Sequence, residues 1–260
     1  MLKIGDYNTL EIVKMVEFGA YLYSTGTEIL LPKKYVPAEA EIGQTIEVFI
    51  YTDSEDRLIA TTLKPLAKVG EFAYLEVMDN APFGSFVEIG IEKHILVPLS
   101  EQPERMDVGK KYVMYVYLDK ITGRMVASAR LNRFVEKGVM DLKENQAVPI
   151  LVANPTDLGF NVIVDNLYWG LVYHSDIFKR IAIGDLLTGY VKKIREDNKL
   201  DIVLQAPGFK QAIGSDTQII LDALAENRNV LYLSDKTAPE VIYKALGMSK
   251  KAFKKAIGVL

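Results

Sequence analysis

A glycine register that recurs three times limits what this chain can fold into more than any other feature. Phe18-Gly19-Ala20-Tyr21-Leu22, Phe83-Gly84-Ser85-Phe86-Val87 and Leu158-Gly159-Phe160-Asn161-Val162 line up. A second apolar run follows each: EILLPKKYV from Glu28, HILVPLSEQ from His94 and WGLVYHSDI from Trp169. Another glycine, Gly43, Gly109 or Gly184, opens a third strand region 24, 25 and 25 residues after the first. A basic residue, Arg57, Arg124 or Lys199, comes 14 or 15 positions later, ahead of a last apolar strand. Self-similarity at a fixed spacing marks one supersecondary unit used several times.

Each unit is a series of short β-branched and aromatic runs broken by turns such as Asp53-Ser54-Glu55-Asp56 and Ile121-Thr122-Gly123-Arg124. In TIEVFIY a period of two sends Ile46, Val48 and Ile50 to one face. Four or five such strands cannot bury two faces as an open sheet, so closure into a small barrel is expected. The expected division is barrels at 1–63, 64–141 and 142–206 and a helical module at 207–260. Lys64-Pro65-Leu66 separates the first two barrels, and NRFVEKGVMDL (132–142) the second from the third.

From Ser215 the period changes to 3.6. Asp216 or Thr217 is placed to cap a helix whose apolar positions are Ile219, Ile220, Ala223 and Leu224, ending near Asn227-Arg228-Asn229. Val230–Leu233 reads as a short strand. Thr237-Ala238-Pro239-Glu240 reads as a capping box with proline in the first turn. Val241, Ile242, Ala245 and Leu246 would be that helix's apolar face, and Gly247 its left-handed cap. Ser249 would cap a last helix that buries Phe253, Ala256, Ile257 and Leu260. Helix, strand, helix, turn, helix is the order of a winged helix, with the wing after Leu260 missing. Lys250, Lys251, Lys254 and Lys255 fall on the non-apolar side of the last helix, where a helix-turn-helix presents cations to phosphates; a merely solvated face is the other reading.

The net charge of −3 is unevenly spread: residues 1–63 hold 5 basic and 10 acidic side chains, and residues 207–260 hold 8 and 5. A polyanion should therefore be drawn to the C-terminal half, and deleting residues 1–63 is expected to leave affinity for it nearly intact. Without cysteine, no disulfide, thiolate metal site or cysteine nucleophile exists. Nothing approaches the roughly 20 apolar residues of a membrane span, and the first residues carry no signal pattern, so a cytoplasmic protein with no membrane partner is expected.

The order of an aromatic Phe-Gly strand, then Trp169-Gly170-Leu171-Val172-Tyr173-His174-Ser175-Asp176-Ile177, a glycine and a basic turn resembles the S1-type RNA-binding domain, an OB-fold barrel. Three such units followed by a helical tail with MSKKAFKKAIG resemble the conserved virulence factor B family of bacteria. The resemblance implies a mainly β protein: three tandem S1-like OB barrels plus a C-terminal α-helical winged-helix-like domain. It also implies a surface set of two aromatics, a histidine and an Asp/Arg pair. Units one and two keep the aromatics as Phe18 with Tyr21 and Phe83 with Phe86, for which core packing is the competing reading. Their acidic-basic pairs are approximated by Asp53 with Arg57 and Asp119 with Arg124. Pro32 and Pro98 stand at their histidine position. Unit three keeps His174, has Leu158 and Asn161 in place of the aromatics, and adds Lys192, Lys193, Arg195 and Lys199.

Enzymatic chemistry finds no support in these residues. Two histidines without cysteine do not make a zinc site. Consecutive His174-Ser175-Asp176 alternate faces on a strand and cannot form a triad. No glycine-rich phosphate loop opens a helix. No catalytic residue, metal ligand or cofactor is assigned. His174 is expected either to meet a base or to be a strand-end histidine with no partner. Single-stranded RNA is the expected partner, bound through unit three and the tail by a regulator that acts after transcription. Duplex DNA, read by the winged helix while the barrels hold protein partners of unknown kind, is the alternative.

Overall fold

The computed structural model describes residues 2–137, 141–177, 180–206, 215–227, 229–258 and 260. The segment 207–214, where the helical module is expected to start, lies outside the described residues, as do 138–140 of the second linker and Arg228 at the expected helix end.

Each repeated unit is a closed five-stranded barrel. The first contains β1 (Tyr7–Val16), β2 (Gly19–Ser24), β3 (Thr27–Pro32), β4 (Thr45–Thr52) and β5 (Leu58–Thr61), ordered β1-β2-β3-β5-β4. The second repeats that order with β6 (Phe72–Ala81), β7 (Gly84–Val87), β8 (Ile95–Pro98), β9 (Lys111–Leu118) and β10 (Met125–Ser128). The third does so with β11 (Ala147–Thr156), β12 (Gly159–Val164), β13 (Tyr168–Tyr173), β14 (Leu186–Ile194) and β15 (Leu200–Val203). Closure comes from a parallel pairing of the third strand with the fifth, as in Leu30 opposite Ile59 and Gly170 opposite Leu200. This is the OB arrangement.

The repeated glycines answer two different constraints. A Cβ on Gly19, Gly84 or Gly159 would lie 2.2, 2.4 or 1.9 Å from the carbonyl oxygen of Leu31, Val97 or Val172, so only glycine lets the second and third strands approach. Gly43, Gly109 and Gly184 instead have φ of +90°, +80° and +91°. Each donates its N–H, at 2.8 Å, to the carbonyl of Ile12, Val77 or Val152. Those residues stand where a bulge shifts the register of the long first strand. The bulge bends that strand so that it pairs on both sides. A third position was not legible as a repeat: Gly5, Gly70 and Asn145 have φ of +76°, +93° and +69° and cap Ile50, Val116 and Val191 alike. Asparagine serves in the third barrel because its short side chain tolerates left-handed backbone.

Ile46, Val48 and Ile50 point into the first barrel with Ile12, Leu22 and Leu31, as the period of two predicts. The opposite face is buried too: Phe49 and Tyr51 pack with Leu75, Val77 and Val116 in the core of the second barrel. Burial pushes the Tyr51 hydroxyl pKa up to about 12. Phe72, Val113, Phe134, Val135, Leu151 and Ile163 form a further core between the second and third barrels. Asn166 adds two bonds of 2.8 Å there, accepting from the Phe72 N–H and donating to the Gly70 carbonyl. The expected second linker therefore supplies core residues rather than a spacer. Residues 1–204 make one compact unit and 205–260 another.

The C-terminal unit has α1 (Ser215–Glu226), α2 (Pro239–Leu246) and α3 (Lys250–Ile257) around Ile220, Ile242, Leu246, Met248, Phe253 and Ala256. Several local expectations are corrected. Asp216 and Thr217 lie inside the first turn of α1 and do not precede it. Val230–Leu233 is not a strand, because no second strand in the described residues of this unit receives its ladder. Thr237 caps nothing on α2; Ala238 is the N-cap, and the Thr237 hydroxyl accepts from the Ser234 N–H at 2.8 Å. Ile219, Val241, Ala245 and Leu260 are exposed, since helices this short bury only a narrow stripe. Pro239 does sit in the first turn of α2, Gly247 has φ of +64°, and the Ser249 hydroxyl accepts from the Ala252 N–H at 3.2 Å. No described helix is long and apolar enough to cross a membrane.

Candidate nucleic-acid interface

The outer face of each barrel's second and third strands, bordered by the turn between its fourth and fifth, forms a recurring site. Tyr21, Phe86 and Asn161 pair across strands with Leu30, Leu96 and Leu171. The turn closes identically each time: the N–H of Asp53, Asp119 or Arg195 donates at 2.9 Å to the carbonyl of Arg57, Arg124 or Lys199.

In the first barrel Phe18, Tyr21, Leu30, Asp53 and Arg57 line a cleft of about 520 Å³. Phe18 is 58 % exposed and Phe83, its counterpart, 59 %, so neither is a core residue. Phe18 meets Tyr21 edge-on at 6.3 Å and Phe83 meets Phe86 at 6.0 Å. Lys14 lies over the Tyr21 ring at 5.7 Å, while other cations of these two barrels are engaged by acceptors. Arg57 is held by Asp53 at 2.8 Å and Glu55 at 3.0 Å. Arg124 forks onto Asp56 of the first barrel's turn. Lys93 donates to the carbonyls of Thr52 and Asp53, and burial pushes its pKa down.

In the third barrel Asn161, Trp169, Leu171, Arg195 and Lys199 line a cleft of about 400 Å³ together with Leu158 and Asn132. Arg195 takes the place of the acidic Asp53 and Asp119, so a cation stands where the other two turns carry a carboxylate. Its guanidinium is positioned by Asp201 at 2.7 Å and by the Tyr173 hydroxyl at 2.7 Å. Lys192 pairs with the buried Asp176 at 2.8 Å, and this hydrogen bond raises the lysine pKa. Lys199 reaches Asp197 only at 3.5 Å, and Lys193 has no carboxylate within 4.0 Å among the described residues.

His174 is the expectation most changed by the structure. It opens a 3-10 turn, His174–Asp176, after β13. Register places Pro32, Pro98 and Tyr173 together, opposite Gly19, Gly84 and Gly159. The prolines therefore match Tyr173, and the true counterparts of His174 are Lys33 and Leu99. All three donate a backbone N–H one strand back, to Phe18, Phe83 and Leu158, at 2.9 to 3.1 Å. The fold asks nothing of the imidazole, which is exposed and lies edge-on to Phe160 at 6.2 Å, outside the cleft lining. Trp169, Leu171 and Asn132 were not singled out from the sequence. Trp169 and Leu171 alternate with the inward Gly170 and Val172 on β13, so a period of two applied there would have found them. Asn132, which accepts the Trp169 indole N–H at 2.7 Å, arrives only through tertiary contact.

On α3 Phe253 and Ala256 are buried while Lys251, Lys254 and Lys255 are exposed and Lys250 is half-buried. No carboxylate lies within 4.0 Å of these four among the described residues. The lysines form a cationic face opposite the apolar stripe.

Three OB-type barrels followed by a compact helical unit define a tandem S1-domain protein with a winged-helix module. A model of the S1 domain matches residues 4–63 and 69–130, and a model of the CvfB-like winged helix domain matches 218–260. The chain thus carries S1 domains and a CvfB-like winged helix domain, and over nearly its whole length it is similar to proteins named conserved virulence factor B. It is 24 % identical over 99 % of its length to conserved virulence factor B of Staphylococcus saprophyticus, covering 89 % of that protein. YitL of Bacillus subtilis is 29 % identical over 100 % of the chain, with 89 % of YitL covered. A crystal structure of a multidomain protein with nucleic acid binding domains from Streptococcus pneumoniae aligns at 26 % identity and a TM-score of 0.47, covering 99 % of this chain and 93 % of that one.

Proposed function

We propose that this protein binds single-stranded RNA through the outer face of the third barrel and the lysine face of α3, without catalysing a reaction, and acts on gene expression after transcription. The observation that carries this is the third barrel's cleft, where Trp169 shares the lining with Lys199, held by Asp197 only at 3.5 Å, and with Arg195, fixed by Asp201. The first barrel's turn instead sets Asp53, Glu55 and Asp56 against Arg57 alone. A flat aromatic beside cations suits an unpaired strand, whose bases stack while its phosphates meet the charges. The S1 and winged-helix domain make-up supports nucleic-acid binding in general.

The lysine face also supports a second reading, in which α3 enters duplex DNA and the barrels contact protein. Titration of labelled single-stranded RNA and of duplex DNA into the whole chain, at several salt concentrations, separates the two. Tighter RNA binding that is weakened by Lys199→Ala supports the proposal. Duplex binding that ignores the barrel substitution overturns it.

A further inference from the structure

The cleft on the third barrel continues beyond Trp169. It shares Trp169 and Asn132 with a second groove, and that groove shares Pro103, Leu131 and Asn154 with a third between the second and third barrels. Arg130 lines the middle of this path. Its guanidinium donates to the backbone carbonyls of Ser100 at 2.7 Å and Gln102 at 3.2 Å. No carboxylate lies within 4.0 Å of it among the described residues. The cation is thus fixed in position without being neutralised, unlike nearby Arg133, which is paired with Glu101. Trp169, fixed by its bond to Asn132, stands where the first two grooves meet. A fixed aromatic and a fixed, uncompensated guanidinium in one groove suit a single strand, with a base on the ring and a phosphate on the charge.

Building on the proposed function, we propose that RNA held on the third barrel crosses the junction with the second barrel, stacking a base on Trp169 and setting a phosphate at Arg130. The two barrels then hold one strand, and affinity grows with strand length beyond what the third barrel alone spans.

Trp169 is the only tryptophan, so its emission reports directly on the junction. Labelled oligouridylates of about 4 and about 12 nucleotides, a range that brackets single-barrel sites, are titrated into the full chain while anisotropy and tryptophan emission are followed. The longer strand is expected to bind about tenfold tighter and to quench Trp169. Arg130→Ala should remove most of that gain and leave the short strand unaffected. Asn154→Asp places a carboxylate in the same groove and gives up only the local bond from the side-chain amide to the adjacent Pro155 carbonyl, so it tests the path while leaving the contacts between strands in place. It should produce the same selective loss. If both variants bind the long strand like the parent while Lys199→Ala still weakens both strands, the junction is overturned and the third-barrel site stands. If the parent protein changes the anisotropy of neither strand, both proposals fall.

Discussion

At the scale of single residues, glycine and histidine reverse the usual expectation of which side chain matters. The backbone of His174 is used and its ring is not, so His174→Ala should leave the melting temperature within about 1 °C, as surface changes of a few tenths of a kcal/mol do. If the ring touches RNA from the rim, affinity falls by roughly 1 kcal/mol, one weak stacking interaction; titration of the folded variant reads this. Gly159→Ala is the opposite case, because its methyl would collide with the Val172 carbonyl. Overpacking of this kind costs about 1–3 kcal/mol, measurable by urea unfolding. Gly70→Asn should cost under about 1 kcal/mol, since the third barrel already carries Asn145 at that position and nothing nearer than 3.9 Å opposes a Cβ there.

Among the elements, the β4–β5 turn and α3 carry the clearest consequences. Arg124 donates a hydrogen bond to Asp56 that holds the carboxyl below its ordinary value of 3.8. Because the folded value is the lower one, this pair's contribution is complete above that ordinary value. It disappears as pH falls through the lowered folded value. Melting temperatures recorded from pH 7 to pH 2 should therefore drop less steeply below about pH 4 in Asp56→Asn than in the parent. Replacing Lys250, Lys251, Lys254 and Lys255 with glutamine should leave the apolar stripe of α3 intact. It should weaken RNA binding at low salt, with the salt slope falling by about 0.7 for each phosphate that a lysine no longer neutralises. An unchanged slope would assign these lysines to solvent.

For the whole molecule, the barrels behave as one body because their cores merge. Phe49 of the first barrel is fully buried in the core of the second. Phe49→Ala should cost about 3–5 kcal/mol and destabilise both barrels in a single calorimetric transition. Deleting residues 1–63, reasonable from charge alone, strips Phe49 and Tyr51 from that core. The truncated chain is expected to melt well below the parent even where its affinity per folded molecule is kept. Substituting Phe18 and Tyr21 in the full chain is the cleaner test of the first barrel.

The sequence by itself determined the three barrels, the change to helices and the lysine face. Each of these rests on spacing along the chain: the 24- and 25-residue glycine intervals, a period of two, a period of 3.6. Tertiary structure alone decided the rest, because it depends on groups distant in the chain. It carried Phe49 from an apparently solvated strand face into a neighbour's core. It showed Asn145 to be a third-barrel glycine equivalent, moved the histidine position by one residue through the Gly159–Tyr173 register, and brought Asn132 to Trp169. A spacing rule sees which residues share a face. Only packing of one barrel on the next determines which faces meet water and which cations keep their charge uncompensated.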